Sequence, residues 1–312
     1  MKSGQVVAMN SKLPLWRRIK KYKGLLVLMI PSMALLLLFS YGPMYGLQIA
    51  FKNYDVGTGI LESPWVGLKH FKVFFVNPEV WNIVTNTLEI SLLKLAFTFP
   101  TTLIFALLLN ELRLVRFKKT VQTISYLPHF LSWVVVAGLI NDLLDPTRGI
   151  PGMIFKALGM APIVILTNPF AFRVVLIVSD IWKGVGWGSI IYLAGISGID
   201  PQLYEAASID GATRLKRALH ITIPQLFPVI AFLLVMSVSG LLSAGFDQIF
   251  NLYSPLVYQS ADVIDTYVYR MGLSHAQYSL STAIGLMQNV VAFILLVSAN
   301  FVTKKYMDAG VW

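Results

Sequence analysis

Ionisable side chains occur inside stretches of the chain that are otherwise apolar. Asp180 and Lys183 lie three residues apart in one such stretch, so they share a helical face on which their charges can neutralise each other. Glu89 and Lys94 lie in another. Charged groups are costly at membrane depth. These residues therefore either fix the packing of helices or line a hydrophilic path, and the sequence leaves both interpretations open.

A second set of side chains combines aromatic rings with carboxylates and carboxamides near the ends of apolar stretches. Aromatic faces stack on the C–H surfaces of sugars, while carboxylates and carboxamides hydrogen-bond hydroxyl groups. Tryptophan and tyrosine also favour membrane interfaces, which is the alternative interpretation. The residues predicted to line a substrate path are Asp180, Trp182, Trp187, Tyr192, Asp247, Gln248, Asn251, Gln288 and Asn289.

The sequence contains no pattern for catalysis or for a metal site. It has no cysteine, and its four histidines are scattered without the spacing of metal ligands. A Walker A loop requires a Gly-Lys dipeptide, and the chain has none. Neither G-x-S-x-G nor H-E-x-x-H occurs. The chain is therefore predicted not to be an enzyme and to hold no metal or cofactor of its own.

Composition places these residues in a membrane. Of the 312 residues, 56% are hydrophobic and only 13% are charged, too few charges to cover a soluble domain of this size. An apolar helix of about 20 residues crosses a bilayer. We predict an all-α integral membrane protein with a bundle of six transmembrane helices. The six apolar stretches are residues 24–47, 87–110, 123–144, 172–196, 228–250 and 282–302.

The basic residues indicate how the chain is oriented in the membrane. Sixteen of the 25 lysines and arginines lie in residues 1–23, 111–120, 200–225 and 304–305. Six lie in the alternate loops 51–85, 145–170 and 251–281. Because basic residues are enriched in cytoplasmic loops, both termini are predicted to be cytoplasmic. The net charge of +10 then reflects topology and contact with anionic lipid, and no nucleic-acid partner is expected.

The predicted cytoplasmic loop 200–225 is longer than a simple connection needs. Asp200 and Pro201 suit the N-cap and first position of a helix, PQLYEAASI, that Gly211 would end. A basic helix, ATRLKRALH, would follow until Pro224 limits it. Such a helix–turn–helix can contact a cytosolic partner, or it can simply lie on the membrane surface.

The same loop resembles a known signature. Glu205-Ala206-Ala207, three residues, Gly211, nine residues, Ile221, one residue and Ile223-Pro224 look like the EAA loop of bacterial ABC importer permeases, E-A-A-x3-G-x9-I-x-L-P. The one departure is Ile223 for leucine, which keeps the apolar bulk. In that family the loop forms a coupling helix that docks into a cleft of the ATPase subunit. The resemblance implies an ATPase contact made by Glu205, Ala206, Ala207, Asp210, Gly211, Ala212, Ile221 and Pro224.

Further segments resemble permeases of oligosaccharide and polysaccharide importers of the maltose-transport type. They are residues 191–213, 246–270 and the ending DAGVW. The resemblance implies the type I permease fold, with ATP and Mg²⁺ bound by a partner and no cofactor on this chain. The implied partners are a second homologous permease in a heterodimer, two ABC ATPase subunits and an extracellular or periplasmic sugar-binding protein in a bacterial cytoplasmic membrane.

The predicted organisation is a single transmembrane domain with the EAA loop (82–303) and three flanking segments. The flanking segments are a basic cytoplasmic arm (1–23), a first transmembrane helix (24–50) and a cytoplasmic tail (304–312). One alternative is an ABC importer permease for an amino acid or phosphate, because the EAA loop is widely shared. The other is a secondary transporter, but such proteins are built from repeats, and none is visible in the sequence.

Overall fold

The computed structural model describes residues 15–161 and 163–307 of the chain. Helices dominate this part, and its only β-type pairing is an isolated bridge between Lys52 and Trp65. The predicted all-α class is confirmed. Most of the predicted basic arm, residues 1–14, and the ending DAGVW lie outside the described residues.

The N-terminal part contains one span with no buried residue in its first half. After α1 (Leu15–Lys21), α2 (Lys23–Leu36) continues through a π-helical turn, Leu37–Tyr41, into a 3-10 segment, Gly42–Phe51. Residues 23–51 are together long and apolar enough to cross a membrane. Its 3-10 segment packs on the C-terminal helix. The short helices α3 (Gly59–Glu62) and α4 (Lys69–Val76) then lead to the second span, α5 (Pro78–Glu111).

The third apolar stretch is sharply bent, so the expectation of a continuous helix over 123–144 is wrong. The α6 helix (Val115–Tyr126) continues as a 3-10 turn to Phe130, and α7 (Trp133–Leu143) leaves at 100° to it. Pro128 cannot donate to the preceding turn, and Ser132 caps the new helix by accepting a 3.3 Å hydrogen bond from the Val135 N–H. Short α8 (Ile150–Ala157) precedes the long fourth span, α9 (Pro169–Ser197).

The fifth apolar stretch is broken, although residues 228–250 were expected to be one helix. Helices α10 (Pro201–Ile209), α11 (Arg214–Arg217) and α12 (Ile223–Gln225) precede α13 (Phe227–Ser239). Residues 240–245 then form turns, in which Ala244 and Gly245 have positive φ values of 49° and 84°. The remaining helices are α14 (Phe246–Leu252), α15 (Tyr258–Ala261), α16 (Ile264–Tyr269) and the last span, α17 (Tyr278–Met307).

Four helices in the described residues are long and apolar enough to span a membrane, and two bent pairs raise the number to six. The α5 helix packs along α9, and α13 packs along α17. Two buried clusters join these helices, the first to the segment after the break and the second to the start of α13. One contains Ile90, Phe172, Leu176 and Ile249, and another contains Ala106, Tyr192, Leu226 and Ile230. A cavity remains between α5, α9 and α13.

The α6 and α9 helices approach each other closely at a glycine. A Cβ atom built on Gly186 would lie 2.1 Å from the carbonyl oxygen of Ser125, a separation that no side chain tolerates. Small residues permit such contacts between membrane helices. Gly184, two residues earlier on α9, has nothing within 4 Å of the corresponding position.

We expect Gly186→Ala to lower the midpoint of thermal unfolding, because the added methyl group must push α6 away from α9. Overpacking of this kind costs about 1–3 kcal/mol. Gly184→Ala is the matched control, and its midpoint should be unchanged or slightly higher because alanine favours the helix. Intrinsic fluorescence of the detergent-purified chain during heating measures both. Equal midpoints for the two variants would contradict the close contact.

Candidate functional site

The predicted coupling helix has the boundaries that its capping residues dictate. Asp200 Oδ1 accepts a 3.0 Å hydrogen bond from the Gln202 N–H at the start of α10. At the other end Gly211 has a φ of +73°. Its N–H donates to Ser208 O, and the N–H of Ala212 donates to Ala207 O at 2.8 Å. These paired bonds form a Schellman motif. The predicted roles of Asp200 and Pro201 at the start of this helix and of Gly211 at its end are confirmed, while the ATPase contact stays a prediction.

Two side-chain contacts fold the second half of the loop back onto α10. The guanidinium of Arg217 donates to Ser208 Oγ at 2.7 Å, and the hydroxyls of Tyr204 and Thr222 lie 2.9 Å apart. Tyr204 is half-buried and Thr222 is buried. Hydrogen bonds therefore join the two halves of the loop at the middle of α10 and near its C-terminal end.

The second half of the loop differs from the expected single basic helix. Only Arg214–Arg217 is α-helical, and Ala218–Thr222 forms a π-helical turn before α12. Pro224 lies inside α12 instead of ending the helix. Because proline has no N–H and crowds the carbonyl four residues earlier, the wider π turn accommodates it. A 65° bend before α13 separates the loop from the span.

The loop presents an exposed surface and is anchored behind it. Glu205, Ala206, Asp210 and Gly211 are exposed, Ala207 and Ala212 are half-buried, and so is Ile221. Ile209, whose side chain is 87% exposed at the end of α10, lies in the segment 206–212 to which the resemblance assigns the contact, but it was not singled out there. Its position within the E-A-A-x3-G spacing was the available signal.

The residues that flank the loop contact each other. Leu226, just before α13, is fully buried. A Cβ atom on Gly195, near the end of α9, would lie 2.8 Å from a Leu226 methyl carbon. The absence of a side chain at Gly195 thus lets the start of α13 pack directly on α9.

A cavity of about 410 Å³ lies between α5, α9 and α13. Two of the residues predicted for a substrate path, Asp180 and Tyr192, line it. Asp180 Oδ2 accepts a 3.0 Å hydrogen bond from the Thr98 hydroxyl. Lys94 also lines the cavity, and its side chain is buried. It donates to the carbonyl oxygen of Ala244 at 2.8 Å and to Oε1 of Gln248.

Other predicted path residues join helices or bond within one helix. Gln248 is buried and donates to Leu176 O and Ser179 Oγ. Gln288 donates to Leu242 O and to Asp265 Oδ1, at 2.8 and 2.7 Å. Asn251 and Asn289 donate to carbonyl oxygens one turn earlier in their own helices, those of Asp247 and Gly285. The two glutamines therefore connect segments around the broken span.

The remaining path residues lie away from the cavity. The Asp247 side chain is exposed. Trp182 and Trp187 are about half exposed. The Trp187 ring stacks on His129 with 4.5 Å between ring centroids. Of the nine residues, the structure thus brings only Asp180 and Tyr192 together around the cavity.

The charged residues within the spans do not pair with the neighbours on their own helices that the sequence suggested. Lys183 donates to the carbonyl oxygen of His129 at 2.7 Å and lies over the Trp133 ring, so it does not form an ion pair with Asp180 within 4 Å. Glu89 pairs with Arg173 of α9 at 2.5 Å. Sequence reasoning missed this pair because its members lie 84 residues apart.

Comparison with known proteins decides the family. A family model described as "Binding-protein-dependent transport system inner membrane component" matches residues 94–307. The chain belongs to this family. It is accordingly a multi-pass membrane component of a transport system, as its sequence predicted.

Relatives and solved structures are similar over nearly the whole chain. The polygalacturonan/rhamnogalacturonan transport system permease protein YteP of Bacillus subtilis is 43% identical, covering 93% of this chain and 90% of that protein. Protein LplB of the same organism is 40% identical, with coverages of 94% and 92%. A bacterial ABC transporter that imports the acidic polysaccharide alginate is 41% identical, with a TM-score of 0.86, and covers 94% of this chain and 99% of the solved chain.

We expect Gly211→Val to loosen the end of α10, because a β-branched residue is strained at positive φ. Hydrogen–deuterium exchange of the amides of residues 208–212 should increase about tenfold, since a left-handed conformation costs about 1–2 kcal/mol in other residues. Gly211→Asn is the matched control, because asparagine tolerates this conformation, and it should exchange nearly as slowly as the parent. Equal protection in both variants would show that the Schellman motif does not hold this helix end.

Proposed function

We propose that this chain is one of two membrane subunits of an ATP-driven importer that carries oligosaccharides or polysaccharide fragments into the cytoplasm. Its family membership and its likeness to the solved alginate importer support this function. The names of the relatives support the substrate class, since they include polygalacturonan/rhamnogalacturonan and arabinooligosaccharide transport permeases. The central observation is structural. One chain combines a membrane cavity with a rigid, exposed helix that suits an ATPase partner.

The proposed partners are those that would serve the membrane cavity and the exposed helix α10. One solved neighbour is a bacterial alginate ABC transporter in complex with a periplasmic protein that holds an alginate pentasaccharide. By analogy, an external binding protein would deliver sugar to this chain, and a second, homologous permease would complete the path. Two ATPase subunits would bind ATP and Mg²⁺, because this chain lacks a Gly-Lys dipeptide and hence a Walker A loop.

The contact with the ATPase is assigned to α10 and its flanks. The exposed side chains of Glu205, Ile209 and Asp210 combine one apolar group with two carboxylates. A buried apolar anchor ringed by polar contacts is the usual arrangement at protein interfaces. Gly211 and Ala212 end the helix sharply, so α11 turns back beside α10 and leaves the exposed surface of α10 free to enter a cleft.

Transport follows by alternating access. Closure of the paired ATPases on ATP moves the coupling helices, and the two permeases then shift between inward-facing and outward-facing states. A flexible loop would deform and would not pass this displacement to the membrane helices. The hydrogen bonds of Tyr204 with Thr222 and of Arg217 with Ser208 reduce this deformation, because they hold α10 against the segment that leads into α13.

The orientation belongs to the same proposal. The coupling loop must face the cytoplasm to reach an ATPase, and the excess of lysine and arginine in alternate loops assigns residues 200–225 and both termini to that side. Two independent features, charge distribution and the position of α10, therefore support one topology.

We expect Ile209→Asp to reduce substrate-stimulated ATP hydrolysis and uptake together, by about tenfold or more, because it places a charge at the apolar centre of the interface. The assay uses the chain reconstituted in liposomes with its second permease, ATPase and loaded binding protein, and a panel of oligosaccharides. Val115→Asp is the control. It changes a similarly exposed residue on the same predicted side, outside the coupling loop, and should leave both rates unchanged.

Two results would contradict parts of this proposal. Full coupling in the Ile209→Asp variant would show that α10 does not carry the ATPase contact. If amino acids or phosphate stimulate ATP hydrolysis by the parent complex and no oligosaccharide does, the family assignment stands but the proposed sugar substrate is wrong.

A further inference from the structure

The cavity wall contains a buried lysine, Lys94, that has no ion-pair partner among the described residues. Lys94 is only 9% exposed. No carboxylate of the described residues lies within 4 Å of its ammonium group, and Glu89, one turn earlier on α5, is paired with Arg173. A surplus positive charge at membrane depth is costly unless an anion joins it.

Two hydrogen-bond donors in the cavity wall have unused capacity. The Lys94 ammonium carries three N–H groups, of which two bond to Ala244 O and Gln248 Oε1. Within residues 15–161 and 163–307, the third has no acceptor. Ser91 Oγ is buried and has no partner in the same part of the chain. Because Ser91 and Lys94 lie three residues apart on α5, they are neighbours on one helical face, and both line the cavity.

The chemistry of this pair favours a carboxylate. A carboxylate accepts several hydrogen bonds, and bonds from an ammonium group to it are stronger than neutral ones. The rest of the lining suits the body of a sugar, with the hydroxyls of Thr98 and Ser237 and the rings of Phe99 and Tyr192. The cavity volume of about 410 Å³ falls in the usual range for small ligands.

We propose that Ser91 and Lys94 form a subsite for the carboxylate of a uronate sugar, through which this chain selects acidic oligosaccharides. The subsite rests on the proposed function, because its ligand is the transported oligosaccharide. A carboxylate that takes the third N–H of Lys94 leaves the bonds to Ala244 and Gln248 in place. The broken span therefore need not rearrange for the ligand to bind. The similar solved transporter imports an acidic polysaccharide, in agreement with a cationic subsite.

Ser91→Ala is the sharpest test, since it removes a hydroxyl that makes no hydrogen bond within the described residues, so folding should be retained. Lys94→Met removes the charge, but it also removes the contact with Ala244. Lys183→Met is the control for a lost charge. Its ammonium bonds to His129 O, and its side chain is not part of the cavity wall.

The measurement is binding of a fluorescent trigalacturonate to the purified complex of both permeases and the ATPases, without binding protein. Competitors are unlabelled trigalacturonate, the same trimer with its carboxyl groups reduced to alcohols, and acetate. We expect the parent complex to bind the acidic trimer at least about tenfold more tightly than the reduced one. Ser91→Ala should weaken acidic binding about three- to tenfold. Lys94→Met should abolish the preference, and Lys183→Met should retain it. Acetate should compete only weakly.

Any one of four outcomes would overturn the proposed subsite. The parent complex binds no trimer, or it binds acidic and reduced trimers with equal affinity. Alternatively, Ser91→Ala leaves the affinity for the acidic trimer unchanged, or acetate competes as well as the trimer does. If the parent complex imports oligosaccharides without regard to charge, the proposed function stands and the subsite is rejected. If no oligosaccharide stimulates ATP hydrolysis while charge-dependent binding persists, the proposed function fails and the carboxylate site remains.

Discussion

The rest of the structure depends on how the main-chain carbonyl groups at the interrupted spans are satisfied. Inside a bilayer, no water is available for a carbonyl group that a helix no longer bonds. This protein supplies a long side chain from a neighbouring helix at each interruption, the 100° bend between α6 and α7 and the break after α13. At the bend, Lys183 donates to the carbonyl oxygen of His129. At the break, Lys94 donates to that of Ala244 and Gln288 donates to that of Leu242.

These contacts explain why the same helices also contain a cavity. The α13 helix ends at Ser239, and the chain turns through residues 240–245 before α14 begins. This leaves space beside α5 and α9 that a straight helix would fill. Lys94 thus lies both at a structural contact and in the wall of the cavity. Its bond to Ala244 O agrees with a role in helix packing, whereas the hydrophilic path stays a prediction.

The sequence predicted those features that depend on neighbouring residues. The start of α10 follows from Asp200 and Pro201, and its end follows from Gly211, because caps act over three or four residues. The broken spans were missed, since an apolar composition is the same whether a helix is straight or interrupted. All of the predicted sugar contacts stay predictions, and the sequence cannot separate them from structural contacts for a related reason. An amide such as Gln248 or Gln288 has the same chemistry whether it meets a sugar hydroxyl or a carbonyl group tens of residues away.

The contact between Leu226 and Gly195 has a mechanical consequence. The loop that contains α10 leaves the membrane from α9 and returns into α13, and this contact joins those two helices where the loop begins and ends. A force applied to α10, which is about 13 Å long, is therefore expected to turn α9 and α13 together about this contact. Because the cavity wall is built partly from these two helices, such a rotation would change the shape of the cavity.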